Sequence, residues 1–297
     1  MTLDQLRSFR AIVETGSFRA AADRMHRTQP AITQQIKGLE RETGHTLIDR
    51  KTARPTPAGQ RLYERACPLL SDVESIRRGM RDFDETESRE LRLGTSDTTA
   101  LYVLPPIVRR FMRAEPAARL RIINRPTEAI AELVLRGELD LGIVTLPVRK
   151  PQLEEHLLME QELVLVTSRR HALAGKHSIA LNALGGETFL MLEEQTRTGA
   201  LMRAHFRAHG FDPRVALDSG SFEVIKRYVG EGIGVSFLPR NTITKQDANL
   251  VTIRVPGLPR VAIGAIQRKG AYQTKAARLF REILVVESNG SKNHVKS

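Results

Sequence analysis

The chain has 297 residues, 41% of them apolar and 27% charged, with a formal net charge of +12 at pH 7. This is the composition of an ordinary soluble globular protein of one to three domains, and its basic balance is consistent with a polyanionic partner. The single cysteine, Cys67, excludes a disulfide framework and an intrachain dithiol sensor. No apolar run approaches the ~18–20 residues of a membrane span, and no export signal opens the chain, so a cytoplasmic location is predicted.

Residues 17–42 show the pattern of two short helices joined by a turn. Small and apolar side chains recur at helical spacing over 18–25, and polar residues interrupt the pattern at 26–28. A second helix is predicted to begin after Thr28 as N-cap, with Pro30 in its first turn. The apolar side chains of this second helix form one stripe, which is predicted to be buried: Ile32, Ile36 and Leu39.

The opposite face of the second helix carries side chains suited to base edges and phosphates. A basic loop follows the helix and is predicted to act as a wing against phosphates or the minor groove. The predicted DNA contacts are Thr28, Gln29, Pro30, Thr33, Gln34 and Lys37 in the helix, and Arg50, Lys51 and Arg54 in the loop. A surface helix pair with solvated charges has the same spacing and stays open as the alternative at this point.

The first 60 residues also resemble the DNA-binding domain of LysR-type transcriptional regulators. The resemblance rests on three segments in the same order and spacing: LDQLRSFRAIVETGSF, AAADRMHRTQPAITQQIKGLE and LIDRKTARPTPAG. The chain departs from the family at Ile48, where Phe is usual, and at Gln34, where a basic residue is frequent. The resemblance implies a winged helix-turn-helix, and Gln34 is expected to alter base preference.

Residues 57–83 form the clearest periodic segment of the chain. Apolar side chains recur alternately every four and three residues at Leu62, Ala66, Leu69, Val73, Ile76, Met80 and Phe83. Such a heptad seam predicts a linker helix that pairs with its copy in a homodimer, and packing on its own domain is the alternative. Pro68 lies inside this helix and predicts a local bend.

From about residue 91 onward, predicted strands and helices alternate, which favours parallel α/β sheets. Strands are predicted at 91–96, 119–125, 140–146, 163–168, 234–239 and 261–267. The segments LRLGTS, LRGELDLGIV and FEVIKRYVGEGIGVSFLP resemble the effector-binding domain of LysR-type regulators. That resemblance implies two lobes similar to those of periplasmic binding proteins.

The predicted organisation is therefore a winged helix-turn-helix over 1–57, a linker helix and hinge over 58–87, and an α/β effector domain over 88–297. The resemblance places lobe I at about 91–162 and 268–286 and lobe II at about 163–267. The chain would cross between them near 162–168 and 265–268. The polar residues 287–297 are predicted to be a disordered tail.

Ligands of open α/β lobes bind beyond the carboxyl ends of strands, where helices begin. Hydroxyl-bearing residues follow the predicted strands at such places, and the predicted effector contacts are Ser96, Thr98, Thr99, Thr127, Thr196, Arg197, Thr198 and Ser221. Hydroxyls and helix N-termini favour a small anion or carboxylate. Asp97 supports an amino-bearing ligand instead. The alternative for each hydroxyl is that it serves only as the N-cap of a helix.

The sequence predicts a sequence-specific DNA-binding transcriptional regulator whose activity is modulated by a small-molecule effector bound between the lobes. No catalytic role, cofactor or metal is expected, because no nucleophile, metal-ligand or dinucleotide-binding pattern is complete. The expected partners are duplex DNA with a dyad-symmetric site, the effector, and further copies in a homodimer or homotetramer. RNA polymerase is a candidate further partner. A solute-binding protein of the periplasmic type with no DNA role is the alternative.

Overall fold

The computed structural model describes residues 1–83 and 90–294. The chain folds into two compact units. The first holds Met1–Ser88 with the short segments Leu135–Glu138 and Gly270–Thr274, and the second holds the remainder. Among the described residues, no helix is both long and apolar enough to cross a membrane.

The first unit is built from helices α1 (Leu3–Thr15), α2 (Phe18–Arg24), α3 (Gln29–Thr43) and α4 (Pro57–Phe83). Helix α1 begins with a capping box, in which Thr2 and Gln5 each satisfy the other's backbone N–H. The helices enclose one hydrophobic core, whose buried members include Leu6, Phe9, Ile12, Ala21, Ile32, Ile36, Leu39, Leu47 and Ile48. This core holds α2 and α3 against α1, which fixes the outer face of α3.

Helix α4 continues on both sides of Pro68, and its apolar stripe divides between two surroundings. Leu62 and Ala66 pack against the core of the first unit. The start of the predicted dimer seam is therefore corrected, because these two residues face their own domain. The N-terminal turns of α4 lie beside their own domain, which covers them. Further along the helix, Leu69, Ile76 and Met80 are exposed by 45%, 63% and 66%. Val73 is half-buried, and the side chain of Phe83 lies outside the described residues.

The second unit alternates strands and helices. Its strands are β1 (Glu90–Thr95), β2 (Arg119–Asn124), β3 (Leu141–Thr145), β4 (Leu153–Ser168), β5 (Thr188–Leu192), β6 (Arg214–Ser219), β7 (Ser236–Pro239), β8 (Leu250–Ile253) and β9 (Arg260–Arg268). Its helices are α5 (Asp97–Tyr102), α6 (Leu104–Ala114), α7 (Thr127–Leu135), α8 (Arg197–Ala208), α9 (Phe222–Gly230) and α10 (Lys275–His294).

The sheets are mixed rather than parallel, which corrects the predicted parallel arrangement. The order is β2-β1-β3-β9-β4-β7, with β8 also on β4, and β5 pairs separately with β6. The β2-β1-β3 and β5–β6 pairs are parallel, whereas β9 is antiparallel to both β3 and β4. Strand β9 returns from the second lobe and therefore enters the first sheet against the direction of β3.

The chain passes from one lobe to the other within strand β4. Its residues up to Glu162 pair with β9, and from Leu163 onward they pair with β7 and β8. Strand β9 pairs with lobe I strands along its whole length, so the return crossing lies between Ile253 and Arg260. The return was predicted at 265–268, whereas β9 (Arg260–Arg268) already pairs with lobe I strands from its first residue.

Helix α10 extends further than the sequence indicated. Its first turns are anchored in the core by Ala276, Phe280 and Leu284, and Phe280 meets Phe111 edge-on at 5.3 Å between ring centroids. The helix continues to His294, where a disordered tail had been predicted from residue 287. Once a helix is nucleated, each further residue adds a hydrogen bond, so polar residues extend it. Residues 295–297 of the predicted tail lie outside the described residues.

Candidate DNA-binding surface and effector cleft

Helix α3 begins as its sequence predicted. The Thr28 hydroxyl accepts a hydrogen bond from the backbone N–H of Ala31 at 3.4 Å, and Pro30 occupies the first turn. Ile32, Ile36 and Leu39 are fully buried in the core. The buried stripe orients the helix, so the opposite face is turned to solvent.

The outer face of α3 brings together five predicted DNA contacts. One groove is lined by Gln29, Pro30, Thr33, Gln34 and Lys37. Gln34 and Lys37 are exposed, and neither side chain makes a hydrogen bond or ion pair with a described residue. Their polar groups are therefore free to meet a groove of DNA without first breaking an internal contact.

The predicted wing is a short loop closed by an antiparallel bridge between Ile48 and Pro55. The Asp49 carboxylate accepts hydrogen bonds from the backbone N–H groups of Lys51 at 2.8 Å and Thr52 at 3.2 Å, which shapes the tip. Lys51 and Arg54 are exposed there and make no ion pair with a described residue. Both cations are therefore presented to solvent.

Arg50 differs from the other predicted contacts, because its guanidinium is held by the protein. Its Nη2 lies 2.6 Å from a carboxylate oxygen of Glu40, and the guanidinium carbon lies 5.4 Å from the centre of the Phe18 ring. Glu40 also accepts hydrogen bonds from the backbone N–H groups of Leu47 at 2.9 Å and Ile48 at 3.3 Å. Arg50 thus braces the wing through Glu40, a residue that sequence reasoning missed and that no local pattern distinguishes from a solvated glutamate.

A cleft of about 430 Å³ lies between the two lobes of the second unit. It is bounded by the carboxyl ends of β1, β2 and β3 and by the first residues of α7, α8 and α9. All eight predicted effector residues line it: Ser96, Thr98, Thr99, Thr127, Thr196, Arg197, Thr198 and Ser221. Sequence reasoning missed further lining residues, including Asn124, Arg125, Thr145 and Gln161.

Five of the hydroxyl groups that line the cleft form two sets. Ser96, Thr196 and Ser221 are N-caps whose oxygens accept hydrogen bonds from the first turns of α5, α8 and α9. Thr127 and Thr198 are only 8% and 5% exposed, and their hydroxyls make no hydrogen bond with a described residue. The second set therefore has unused hydrogen-bonding capacity at the cleft.

Arg197 is paired across the cleft. Its guanidinium on α8 of lobe II lies 2.6 Å from the carboxylate of Glu128 on α7 of lobe I. The positive charge of this predicted effector contact is therefore neutralised internally. A ligand carboxylate would have to replace Glu128 as the partner of Arg197.

A second connection between the lobes centres on Lys226, whose side chain is 5% exposed. Its ammonium lies 2.8 Å from the Tyr102 hydroxyl of lobe I, 2.9 Å from Asp247 and 3.3 Å from Glu223. Burial alone would lower the pKa of Lys226, but the hydrogen bonds with Tyr102 and Asp247 raise it above the ordinary value. Burial alone would raise the pKa of Asp247, but bonds from Thr244 and Lys226 lower it. Lys226 and Asp247 are therefore both charged, and the contact links the lobes near neutral pH.

The two sites match two parts of one known family. Residues 84–287 match the family described as LysR substrate binding domain, and residues 3–60 match the bacterial regulatory helix-turn-helix of the lysR family. The chain belongs to the LysR family. It is therefore a DNA-binding transcriptional regulator with a domain for a small-molecule effector, and not an enzyme.

Relatives of this LysR-family chain are similar over most of their length. The RuBisCO operon transcriptional regulator of Allochromatium vinosum is 28% identical over 97% of both chains. The transcriptional regulator CfxR of Cupriavidus necator is 31% identical over 82% of this chain and 77% of its own length. A full-length OxyR variant from Pseudomonas aeruginosa shares the fold, with a TM-score of 0.76, 22% identity and coverage of 96% of this chain and 94% of its own. With a DNA-binding domain matched over 3–60, the alternative of a solute-binding protein without a DNA role has no support.

Proposed function

We propose that this LysR-family protein binds a dyad-symmetric DNA site as a homodimer or homotetramer and responds to a small carboxylate or other small anion. The proposed DNA binding rests on the exposed polar side chains on the outer face of α3. Gln29, Thr33 and Gln34 are assigned to base edges, and Lys37, Lys51 and Arg54 to phosphates or the minor groove. A regulator bound at such a site is also a candidate partner of RNA polymerase.

The exposed part of α4 supports self-association. Leu69, Ile76 and Met80, with the half-buried Val73, continue the four-and-three spacing after Leu62 and Ala66, which contact the core. An apolar stripe on a helix normally buries itself against a partner, and a second copy offers the same stripe. Two-fold symmetry in the protein then predicts two-fold symmetry in the DNA site. Contacts between effector domains would join two dimers into a tetramer.

The electrostatics of the cleft support an anionic effector. The N-termini of α7, α8 and α9 open on the cleft, and each carries partial positive charge. The Arg125 guanidinium donates to the carbonyl of Asn124 at 2.8 Å and makes no ion pair with a described residue. Asp97 and Glu193 line the same cleft but are exposed, so water screens their repulsion of an anion. Arg125 and the exchangeable Arg197 are the assigned counter-charges.

Calorimetry on the full-length protein tests the charge of the effector, using small carboxylic acids beside their neutral methyl esters. A carboxylate is expected to bind at least about tenfold more tightly than its ester, since charge-assisted hydrogen bonds are lost in the ester. Glu128→Gln should raise affinity for the carboxylate about threefold to tenfold by releasing Arg197. Glu132→Gln is the matched control, because it lies one turn further along α7 and its partner is Lys150.

Two results would contradict the anionic assignment. Equal binding of acid and ester would show that the carboxylate is not recognised. Tighter binding of amines, weakened by Glu128→Gln, would favour the amino-bearing alternative.

A further inference from the structure

Gln161 lines the cleft at the point where the pairing of β4 changes from a lobe I strand to lobe II strands. It pairs with Val261 of lobe I, and two residues later Leu163 pairs with Pro239 of lobe II. Gln161 is 7% exposed and lines the cleft. Gln161 is therefore fixed by backbone pairing at the junction of the lobes, and its side chain has little freedom to turn to bulk solvent.

The amide of Gln161 has almost no partner among the described residues. Its Nε2 lies 4.0 Å from the sulfur of Met159, and a thioether is a weak acceptor. Its Oε1 accepts no hydrogen bond from a described residue. Buried primary amides are normally satisfied by the fold, because an unpaired buried amide is costly. The unused donors and acceptor of Gln161 instead face the ligand space.

The surroundings of this amide narrow the chemistry of the ligand. Val261 and Ile263 are 1% and 3% exposed and provide an apolar surface beside it. Thr127 from lobe I and Thr198 from lobe II supply the unused hydroxyls described above. A hydroxyl or a primary amide can both donate and accept. The inner cleft therefore combines a small apolar surface with three polar groups of dual capacity.

We propose that Gln161 is a specificity-determining residue that binds a hydroxyl group of the effector, and that the effector is a hydroxycarboxylic acid. The inference rests on the proposed binding of a carboxylate. A hydroxyl is complementary to either end of the amide, because it donates to Oε1 or accepts from Nε2. A second carboxylate would satisfy only Nε2, an ammonium only Oε1, and an alkyl chain neither.

Pairs of acids that differ by one hydroxyl test this assignment by calorimetry on the full-length protein: succinate and malate, butyrate and 3-hydroxybutyrate, benzoate and 3-hydroxybenzoate. At least one hydroxy acid is expected to bind about tenfold more tightly than the deoxy acid of the same pair, because a site built around a hydroxyl rejects the analogue that lacks it. Gln161→Met keeps the length and volume of the side chain and removes the amide. It should abolish that preference while the affinity for the deoxy acid stays within about twofold. Gln246→Met, at an exposed glutamine, is the matched control and should leave both affinities unchanged.

The readout is the ratio of two affinities on one sample, so a partly inactive variant does not distort it. A hydroxyl preference that survives Gln161→Met overturns the role of Gln161. Equal binding of hydroxy and deoxy acids by the unmodified protein overturns the hydroxy-acid inference and leaves the carboxylate proposal standing. Failure of every acid to bind contradicts both.

Discussion

Ile76→Asp is expected to convert the protein into a monomer that binds its full DNA site about a hundredfold or more weakly, since two linked half-sites otherwise gain from avidity. Ile76 is 63% exposed, and it lies in the middle of the exposed apolar stripe on α4 that runs from Leu69 to Met80. In a paired seam, the substitution would bury two like charges opposite each other, which costs far more than the apolar contact it replaces. The fold of the first unit should be unaffected, because Ile76 has no place in its core.

Light scattering after gel filtration measures the oligomeric state, and fluorescence anisotropy with a dyad-symmetric duplex measures the DNA affinity. Gln60→Asp is the matched control, since it makes the same change of charge at an exposed position of the same helix. The control should remain dimeric or tetrameric. A fully dimeric Ile76→Asp protein would count decisively against the stripe as the dimer seam.

Gln34→Ala is expected to cost about 1–3 kcal/mol on the preferred DNA site and to relax specificity at one base pair. Gln34 is exposed on the outer face of α3 and is not used by any contact within the described part of the chain. A glutamine amide makes two hydrogen bonds to an adenine edge in the major groove, so its loss lowers sequence specificity as well as affinity. A site selected from random duplexes, compared with single-base variants of it, provides the measurement.

Arg54→Ala provides the contrast to this result. A phosphate contact carries no sequence information, so this variant should weaken binding to all duplexes alike and lower the slope of log affinity against log salt by about one unit. Gln246→Ala, an exposed glutamine of the second unit, controls for the loss of an amide elsewhere. Unchanged base preference in Gln34→Ala would show that the recognition face is wrongly assigned.

The sequence alone determined the features that depend on neighbours along the chain. The start of α3 after its N-cap Thr28 follows from capping, and its buried stripe of Ile32, Ile36 and Leu39 follows from the 3.6-residue period. The hydroxyl-bearing residues after the strands were also predictable from the sequence, because strand ends and helix starts carry local signals. Each of these features is a matter of hydrogen bonds and periodicity within about two helical turns.

Only the tertiary structure decided which surfaces those elements meet. The period of α4 is the same whether its stripe faces its own core, as at Leu62, or solvent, as at Ile76. The antiparallel entry of β9 depends on where the chain returns from the second lobe. The partners of Arg50 and Arg197 are 10 and 69 residues away along the chain. The unsatisfied amide of Gln161 likewise becomes visible only when both lobes enclose it, because burial and pairing are properties of the packed chain and not of any segment.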